Sequence, residues 1–171
     1  VFHWQAGNHD QTMRQFKTAC IPEDSIVELS VINNRIAPNA MEMRQIVAMP
    51  HPNAEDQSEL LIWCGTQGTV SLSRQISKAL NMPREKVHLR SGNVGGGFGY
   101  KIFLHPEQLC VSWAAKKLRK TVRWQQDRSE GFVSDLQGRD IQSFAKALVS
   151  NTGKIKALLF KNRANLGSWL S

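Results

Sequence analysis

The sequence lacks long apolar runs, paired cysteine motifs and an initiating methionine. No stretch approaches the roughly 20 consecutive apolar residues that a membrane-spanning helix needs, so no membrane partner is expected. The start, Val1-Phe2-His3-Trp4, also lacks the basic-then-apolar order of a secretory signal. The three cysteines, Cys20, Cys64 and Cys110, are more than forty positions apart, and none stands in a CxxC or Cys-His pattern. This spacing argues against a zinc site and leaves at least one thiol unpaired. Reduced cysteines favour a cytoplasmic location.

The charge is one-sided, with a formal net charge of +8 and a pI near 9.8. Such a balance raises nucleic acid as a partner. The densest basic stretch, residues 116–123, alternates apolar and charged residues and has no aromatic residues among its charges, which a base-stacking surface would need. We interpret it as a solvated face and expect no nucleic-acid partner. A basic module that binds phosphate or nucleic acid remains the alternative function.

Hydrophobic periodicity predicts a mixture of helices and strands in no strict β-α-β order. The predicted helices cover 10–19, 70–80 and a segment from Pro106, and the predicted strands cover 25–31, 45–49, 60–63, 87–90 and 121–124. A final hairpin joins 141–149 to 155–164 through Asn151-Thr152-Gly153, and 53–58 is a polar loop. The fold class is therefore α+β, with mixed sheets and packed helices.

Two helices carry specific expectations about burial. Thr69 is predicted to cap the helix over 70–80, whose inner face consists of Leu72, Ile76 and Leu80 at a spacing of four. In the helix that begins at Pro106, the predicted inward residues are Leu109, Trp113 and Leu118.

Three consecutive glycines follow the strand over 87–90, in Gly95-Gly96-Gly97-Phe98-Gly99. Without Cβ atoms, this backbone can adopt positive φ and bring its N–H groups against an anionic or oxo-bearing ligand. A tight turn between closely packed elements is the alternative explanation. The segment lacks the Gly-Lys-Ser/Thr of a P-loop and the GxGxxG spacing of a dinucleotide site.

Gln67 lies just past a predicted buried strand, in Gly65-Thr66-Gln67-Gly68. Loops at strand ends often carry ligand contacts. An amide there can donate and accept hydrogen bonds without charge, which suits a neutral metal-oxo group. An ordinary loop glutamine is the alternative.

From about Glu28 to Ser171 the chain resembles the first molybdenum-cofactor-binding domain of the xanthine dehydrogenase, aldehyde oxidase and aerobic carbon monoxide dehydrogenase family. Five segments carry the resemblance in the family's order. They are Asn33-Asn34-Arg35-Ile36-Ala37-Pro38-Asn39-Ala40-Met41-Glu42, Trp63-Cys64-Gly65-Thr66-Gln67-Gly68, Val94-Gly95-Gly96-Gly97-Phe98-Gly99, Val122-Arg123-Trp124-Gln125-Gln126-Asp127-Arg128-Ser129-Glu130 and Ala164-Asn165-Leu166-Gly167.

This resemblance implies an oxidoreductase that hydroxylates a small-molecule substrate with oxygen from water. The implied cofactor is molybdopterin in its cytosine dinucleotide form, and electrons leave through iron–sulfur clusters to FAD on partner subunits. Gln67 matches the glutamine whose amide hydrogen-bonds a molybdenum oxo ligand. Gly97, Phe98 and Gly99 match the loop beside the metal centre, and Phe98 also walls the substrate pocket.

Two positions depart from the family's pattern. Tyr100 stands where a small residue is usual, and is expected to reshape the substrate pocket. Ile102 replaces the glutamate with which purine-oxidising members bind substrate, so xanthine is not expected. The likeness is closer to the carbon monoxide and bacterial aldehyde dehydrogenases. Lys101 keeps the family lysine.

Other polar residues of the matched segments receive structural roles. Arg128 and Glu130 are expected to belong to a turn and helix cap. Glu42 is expected at the core edge or behind the pocket.

Residues 1–171 are expected to be a single domain, a fragment of a longer large subunit, with 1–24 leading into a molybdenum-cofactor-binding lobe over 25–171. The second lobe, the iron–sulfur and flavin subunits and the general-base glutamate are expected outside this chain, so no catalytic residue and no direct metal ligand is assigned within it. The isolated fragment is expected to be inactive. A structural subunit with a decayed metal site is a third hypothesis, for which Tyr100 is the only indication.

Overall fold

The computed structural model describes residues 2–18, 24–52 and 59–167. Its helices and strands, in chain order, are α1 (His9–Thr18), β1 (Ser25–Asn33), β2 (Gln45–Pro50), β3 (Leu60–Cys64), α2 (Thr69–Ala79), β4 (Val87–Arg90), α3 (Pro106–Leu118), β5 (Val122–Gln125), α4 (Arg128–Ser134), β6 (Ile141–Val149) and β7 (Ile155–Ala164). The α+β fold class is confirmed. None of the helices within the described ranges has the length and hydropathy needed to cross a bilayer.

The chain divides into two compact units. The first unit combines the two ends of the chain, 1–36 and 138–171. It contains a three-stranded antiparallel sheet in the order β1-β6-β7, with α1 beside β7. The predicted hairpin has the observed bounds, because the turn at Asn151-Thr152-Gly153 specifies it locally. The strand prediction for β1 is confirmed, but all nine of its residues are exposed, so its period of two does not mark a buried face here.

The second unit, 37–137, contains a four-stranded sheet in the order β4-β3-β2-β5. β3 and β4 run parallel and are joined by α2, while the other pairs are antiparallel. Helices α2 and α3 pack on one face of this sheet. The core between them consists of Ile46, Ala48, Leu60, Ile62, Cys64, Leu72, Ile76, Leu80, Val87, Val111 and Ala115. The predicted inner face of α2 is confirmed. In the strand predicted as buried over 60–63, Leu60, Leu61 and Ile62 are buried, but Trp63 is 43% exposed.

Two expectations about helix details are wrong. Thr69 is the first helical residue of α2, and Gly68 is its cap without a side-chain hydrogen bond. In α3, Trp113 is 52% exposed and Leu118 is 60% exposed. The buried positions of α3 include Gln108 and Ser112, because their polar groups are hydrogen-bonded within the helix and its cap.

Two further predictions fall partly or wholly on residues that the structure does not describe. Helix α1 matches its predicted range up to Thr18, and Ala19 lies outside the described residues. The predicted loop over 53–58 also lies outside them.

Candidate functional site

The segment Gly65–Gly68, here the Gln67 arm, leaves the end of β3 and turns into α2. Two hydrogen bonds attach it to a single carbonyl oxygen, that of Lys101. The backbone N–H of Gln67 donates to this oxygen over 3.2 Å and the Thr66 hydroxyl donates over 2.9 Å. The arm is therefore fixed through its backbone, and the Gln67 side chain is exposed.

The segment Gly95–Gly99, here the glycine loop, contains three residues with positive φ, namely Gly96 at 101°, Phe98 at 47° and Gly99 at 90°. Positive φ is unusual for a bulky residue such as Phe98, and strained backbone of this kind is typical of functional loops. Gly97 is required for a different reason. A Cβ atom there would lie 2.4 Å from Cδ of Gln67.

The Gln67 arm and the glycine loop converge, as the sequence predicted. The backbone N–H of Gly99 donates to Oε1 of Gln67 over 3.0 Å. Since an N–H group can only donate to the oxygen of an amide, this bond fixes which end of the amide faces Gly99. Among the described residues, no hydrogen bond is formed by Nε2 of Gln67, so the two N–H donors of this exposed side chain are open to solvent or a ligand.

The exposed side chains beside this contact are apolar. Phe98 is 72% exposed and Met41 is 88% exposed. The Phe98 ring lies over Gly96, where a Cβ would be 3.0 Å from Cε2 of the ring.

Tyr100 and Ile102, the other residues assigned to a substrate pocket, face different surroundings. Tyr100 is 2% exposed and faces a small internal cavity, whereas Ile102 is 44% exposed. The Tyr100 hydroxyl has no partner among the described residues, and burial raises its pKa. Within this chain Tyr100 therefore packs beneath the loop, and its contact with substrate stays a prediction.

The residues assigned structural roles occupy such positions. Asp127 caps α4 by accepting the N–H of Glu130 over 2.7 Å. Arg128 donates to the carbonyl oxygens of Ala40 over 2.7 Å and Met41 over 3.0 Å. These bonds fasten the loop that carries Met41 to the start of α4.

Sequence reasoning did not assign two buried cations. Lys101 is 1% exposed and its Nζ lies 2.8 Å from Oε2 of Glu42. Arg44 is 2% exposed and is paired with Asp135 at 2.8 Å and Glu107 at 2.9 Å. These partners are 59 to 91 positions apart, so no local periodicity connects them. The predicted placement of Glu42 behind the site agrees with its contact to Lys101.

A shallow cleft of about 530 Å³ lies beside Gln67 at the start of α2, lined by Thr66, Gln67, Gly68, Thr69, Val70, Ser71 and Arg74. The glycine loop does not line this cleft, although it contacts Gln67. Across the described ranges, no group of three or more His, Cys, Asp or Glu side chains could hold a metal ion. Burial, followed by the nearby Glu42, raises the pKa of the Cys64 thiol to about 12. These residues therefore offer hydrogen-bond donors and backbone rather than metal ligands.

Comparison with known proteins agrees with this geometry. The family described as the molybdopterin cofactor-binding domain matches residues 1–171. The 6-hydroxypseudooxynicotine dehydrogenase complex subunit gamma of Paenarthrobacter nicotinovorans is 31% identical over 132 residues, covering 77% of this chain and 16% of that protein. The carbon monoxide dehydrogenase large chain of Afipia carboxidovorans is 25% identical over 158 residues, covering 92% of this chain and 19% of that protein.

Among solved structures, the reconstituted CO dehydrogenase from Oligotropha carboxidovorans superimposes with a TM-score of 0.82 at 25% identity. The match covers 94% of this chain and 19% of that one. The chain thus spans about a fifth or less of the length of these relatives. It belongs to the molybdopterin cofactor-binding domain family of the molybdenum hydroxylases.

Proposed function

We propose that this chain is one cofactor-binding lobe of a larger molybdenum-dependent oxidoreductase, and that Gln67 and the glycine loop form its face toward the cofactor. The observation that carries the proposal is the bond from the Gly99 N–H to Oε1 of Gln67. It holds the Oε1 end of the amide and leaves the Nε2 group free to donate to a ligand.

The residues present fit a molybdenum cofactor in two respects. The donor on Gln67 is neutral, which suits an oxygen ligand already bound to metal. The Gly97 position is free of a Cβ that would displace Gln67, so backbone and amide can approach the same group closely.

When bound, the molybdenum cofactor supplies the two-electron oxidation of substrate. The chain's own residues bind the cofactor and orient it. Gln67 would donate to the cofactor from Nε2, and because Gly99 already holds Oε1 in place, little reorganisation would be needed. Phe98, held at a positive φ and largely exposed, would wall the substrate pocket.

The finer assignments are part of the same proposal. The cofactor is the cytosine dinucleotide form, and electrons pass to iron–sulfur clusters and FAD on partner subunits. The substrate is a small molecule of the carbon monoxide, aldehyde or N-heterocycle type, and Ile102 at the pocket edge cannot hydrogen-bond a purine. The second lobe and the general-base glutamate belong to the rest of the protein, and its location is cytoplasmic. Relatives that oxidise carbon monoxide and a nicotine derivative support this range of substrates.

The test is Gln67→Ala in the full-length protein, with Gln75→Ala as the matched control. Gln75 is an exposed glutamine on α2 whose side chain donates to the Ser71 hydroxyl one helical turn away. We expect Gln67→Ala to lower kcat/KM by roughly 100-fold or more, as for loss of one preorganised donor, with little change in unfolding free energy. An unchanged kcat/KM in Gln67→Ala, measured with carbon monoxide, an aromatic aldehyde and quinoline as substrates, would contradict the assignment.

A further inference from the structure

Glu42 lies between the Gln67 arm and the glycine loop. A Cβ on Gly65, in the arm, would be 3.1 Å from Oε2 of Glu42, and a Cβ on Gly95, in the loop, would be 2.6 Å from Cβ of Glu42. Both glycines therefore leave room for the same side chain. Their positions are explained by Glu42 rather than by backbone conformation, since neither has a positive φ.

Lys101 links the Gln67 arm to Glu42, since its backbone carbonyl contacts the arm and its ammonium group contacts Glu42. Its Nζ donates to Oε2 of Glu42 over 2.8 Å and to the Glu42 carbonyl over 2.9 Å. Its own carbonyl accepts the hydrogen bonds from Thr66 and Gln67 that fix the arm. An ammonium group with 1% exposure needs such partners, because an unpaired buried charge costs several kcal/mol.

Glu42 completes the connection to the glycine loop. Its backbone N–H donates to the Gly95 carbonyl over 3.0 Å, and its Oε2 accepts the Gly95 N–H over 2.9 Å. A further bond comes from Nε2 of Gln45 to Oε1 over 2.9 Å. Burial alone would raise the pKa of Glu42, but the hydrogen bonds from Lys101, Gly95 and Gln45 outweigh it and lower the pKa below its usual value. The carboxylate is therefore ionised at neutral pH.

We propose that Glu42 and Lys101 form a positioning pair that sets the separation between the Gln67 arm and the glycine loop, and thereby aims the Gln67 amide at the cofactor. Each segment is rich in glycine, and contacts from Glu42 and Lys101 reach both of them, so this pair is placed to set the distance between them. Only the last step, aiming at the cofactor, rests on the proposed function. The spacing itself is a property of the polypeptide.

A buried ion pair that merely stabilised the fold would have a different effect when lost. Removal of such a pair would make transient unfolding more frequent throughout residues 37–137, including the core helices α2 and α3. Loss of a spacer increases opening in the two segments that it joins. Local and global opening are distinguished by amide hydrogen exchange.

The experiment compares Lys101→Met with the matched control Lys116→Met in the full-length protein, by hydrogen exchange and mass spectrometry. Lys116 lies on α3 and donates to the Leu80 carbonyl over 3.0 Å, away from the site. In Lys101→Met we expect exchange at the N–H groups of Gln67, Gly95 and Gly99 to rise roughly tenfold or more, as for loss of hydrogen bonds to a charged group. Core peptides of α2 and α3 should exchange as in the wild type, and the control should match the wild type at both segments.

A second variant covers the case in which Lys101→Met does not fold. Glu42→Gln keeps the size of the side chain and removes its charge, and should raise exchange at both segments by a smaller factor. Faster exchange in only one segment, in neither, or equally in the core helices would overturn the positioning pair.

Activity per bound molybdenum gives a further readout. It should fall in Lys101→Met, and an unchanged value would show that the pair does not aim Gln67. If the wild-type protein contains no molybdenum, the proposed function fails, while the exchange data still decide whether Glu42 and Lys101 set the spacing.

Discussion

Gly97→Ala tests whether the missing side chain at Gly97 is needed for the position of the Gln67 side chain. The added methyl would lie 2.4 Å from Cδ and 2.5 Å from Oε1 of Gln67, about 1 Å closer than van der Waals contact near 3.5 Å allows. Gly97 has no positive φ, so alanine fits the backbone and the Gln67 side chain must move. That movement breaks the bond to the Gly99 N–H.

The expected effects on stability and activity differ sharply. Loss of the hydrogen bond costs about 0.5–1.5 kcal/mol, and alanine returns about 0.4–1 kcal/mol by restricting the unfolded chain. The free energy of unfolding should therefore change little. Displacing the donor should lower kcat/KM by roughly 100-fold or more, and combining Gly97→Ala with Gln67→Ala should add little further loss, because both remove the same contact.

The assay is steady-state turnover of the full-length protein with an artificial electron acceptor, normalised to molybdenum content. Gly92→Ala is the control, since a Cβ at Gly92 would meet nothing within 4 Å. Wild-type kcat/KM in Gly97→Ala, alongside a large loss in Gln67→Ala, would show that the glycine does not set the position of Gln67.

Three further predictions concern stability and assembly. The pKa of Glu42 is lowered from 4.5 in the folded chain, so its contribution to the unfolding free energy is fully present above pH 4.5 and is lost as the pH falls through the folded pKa. The stability of Glu42→Gln should therefore decrease less on acidification than that of the wild type, and the same decrease in both would contradict this. Arg44→Met should lower the unfolding free energy by about 3–5 kcal/mol in urea titrations, since it leaves the buried partner carboxylate of Asp135 unpaired; a loss near zero would contradict the ion pairing. The isolated 171-residue chain should fold without retaining molybdenum, and stoichiometric molybdenum in it would count against this. Replacing Phe98 and Met41 by serine should reduce its self-association, and unchanged association in light scattering would count against that.

Local sequence signals predicted much of the fold. The hairpin and the inner face of α2 depend on neighbouring residues, and both are confirmed. In the predicted inner face of α3, Leu109 does pack against the core, but Trp113 was wrong because hydrophobicity alone placed it inward. The structure instead buries Gln108 and Ser112, whose polar groups are satisfied within the helix and its cap. Trp113 stays at the surface under the ammonium group of Lys117, 4.7 Å from its ring.

The convergence of Gln67 with the glycine loop was predicted through the family resemblance, since no local pattern joins positions 32 residues apart. The position of Glu42 behind the pocket was predicted, but its pairing with the buried Lys101 was not. Buried charges interrupt hydrophobic periodicity, and their pairing becomes visible only once distant segments are folded together. Gly65 and Gly95 could have indicated a side chain packed between the two segments, since each glycine leaves room for Glu42.

The central claim, that this lobe serves a molybdenum cofactor, is tested most directly by the metal content of the purified full-length protein. Elemental mass spectrometry, after expression in a host that makes the cofactor and is supplied with molybdate, should find stoichiometric molybdenum. A correctly folded full-length protein that contains no molybdenum under these conditions would contradict the account.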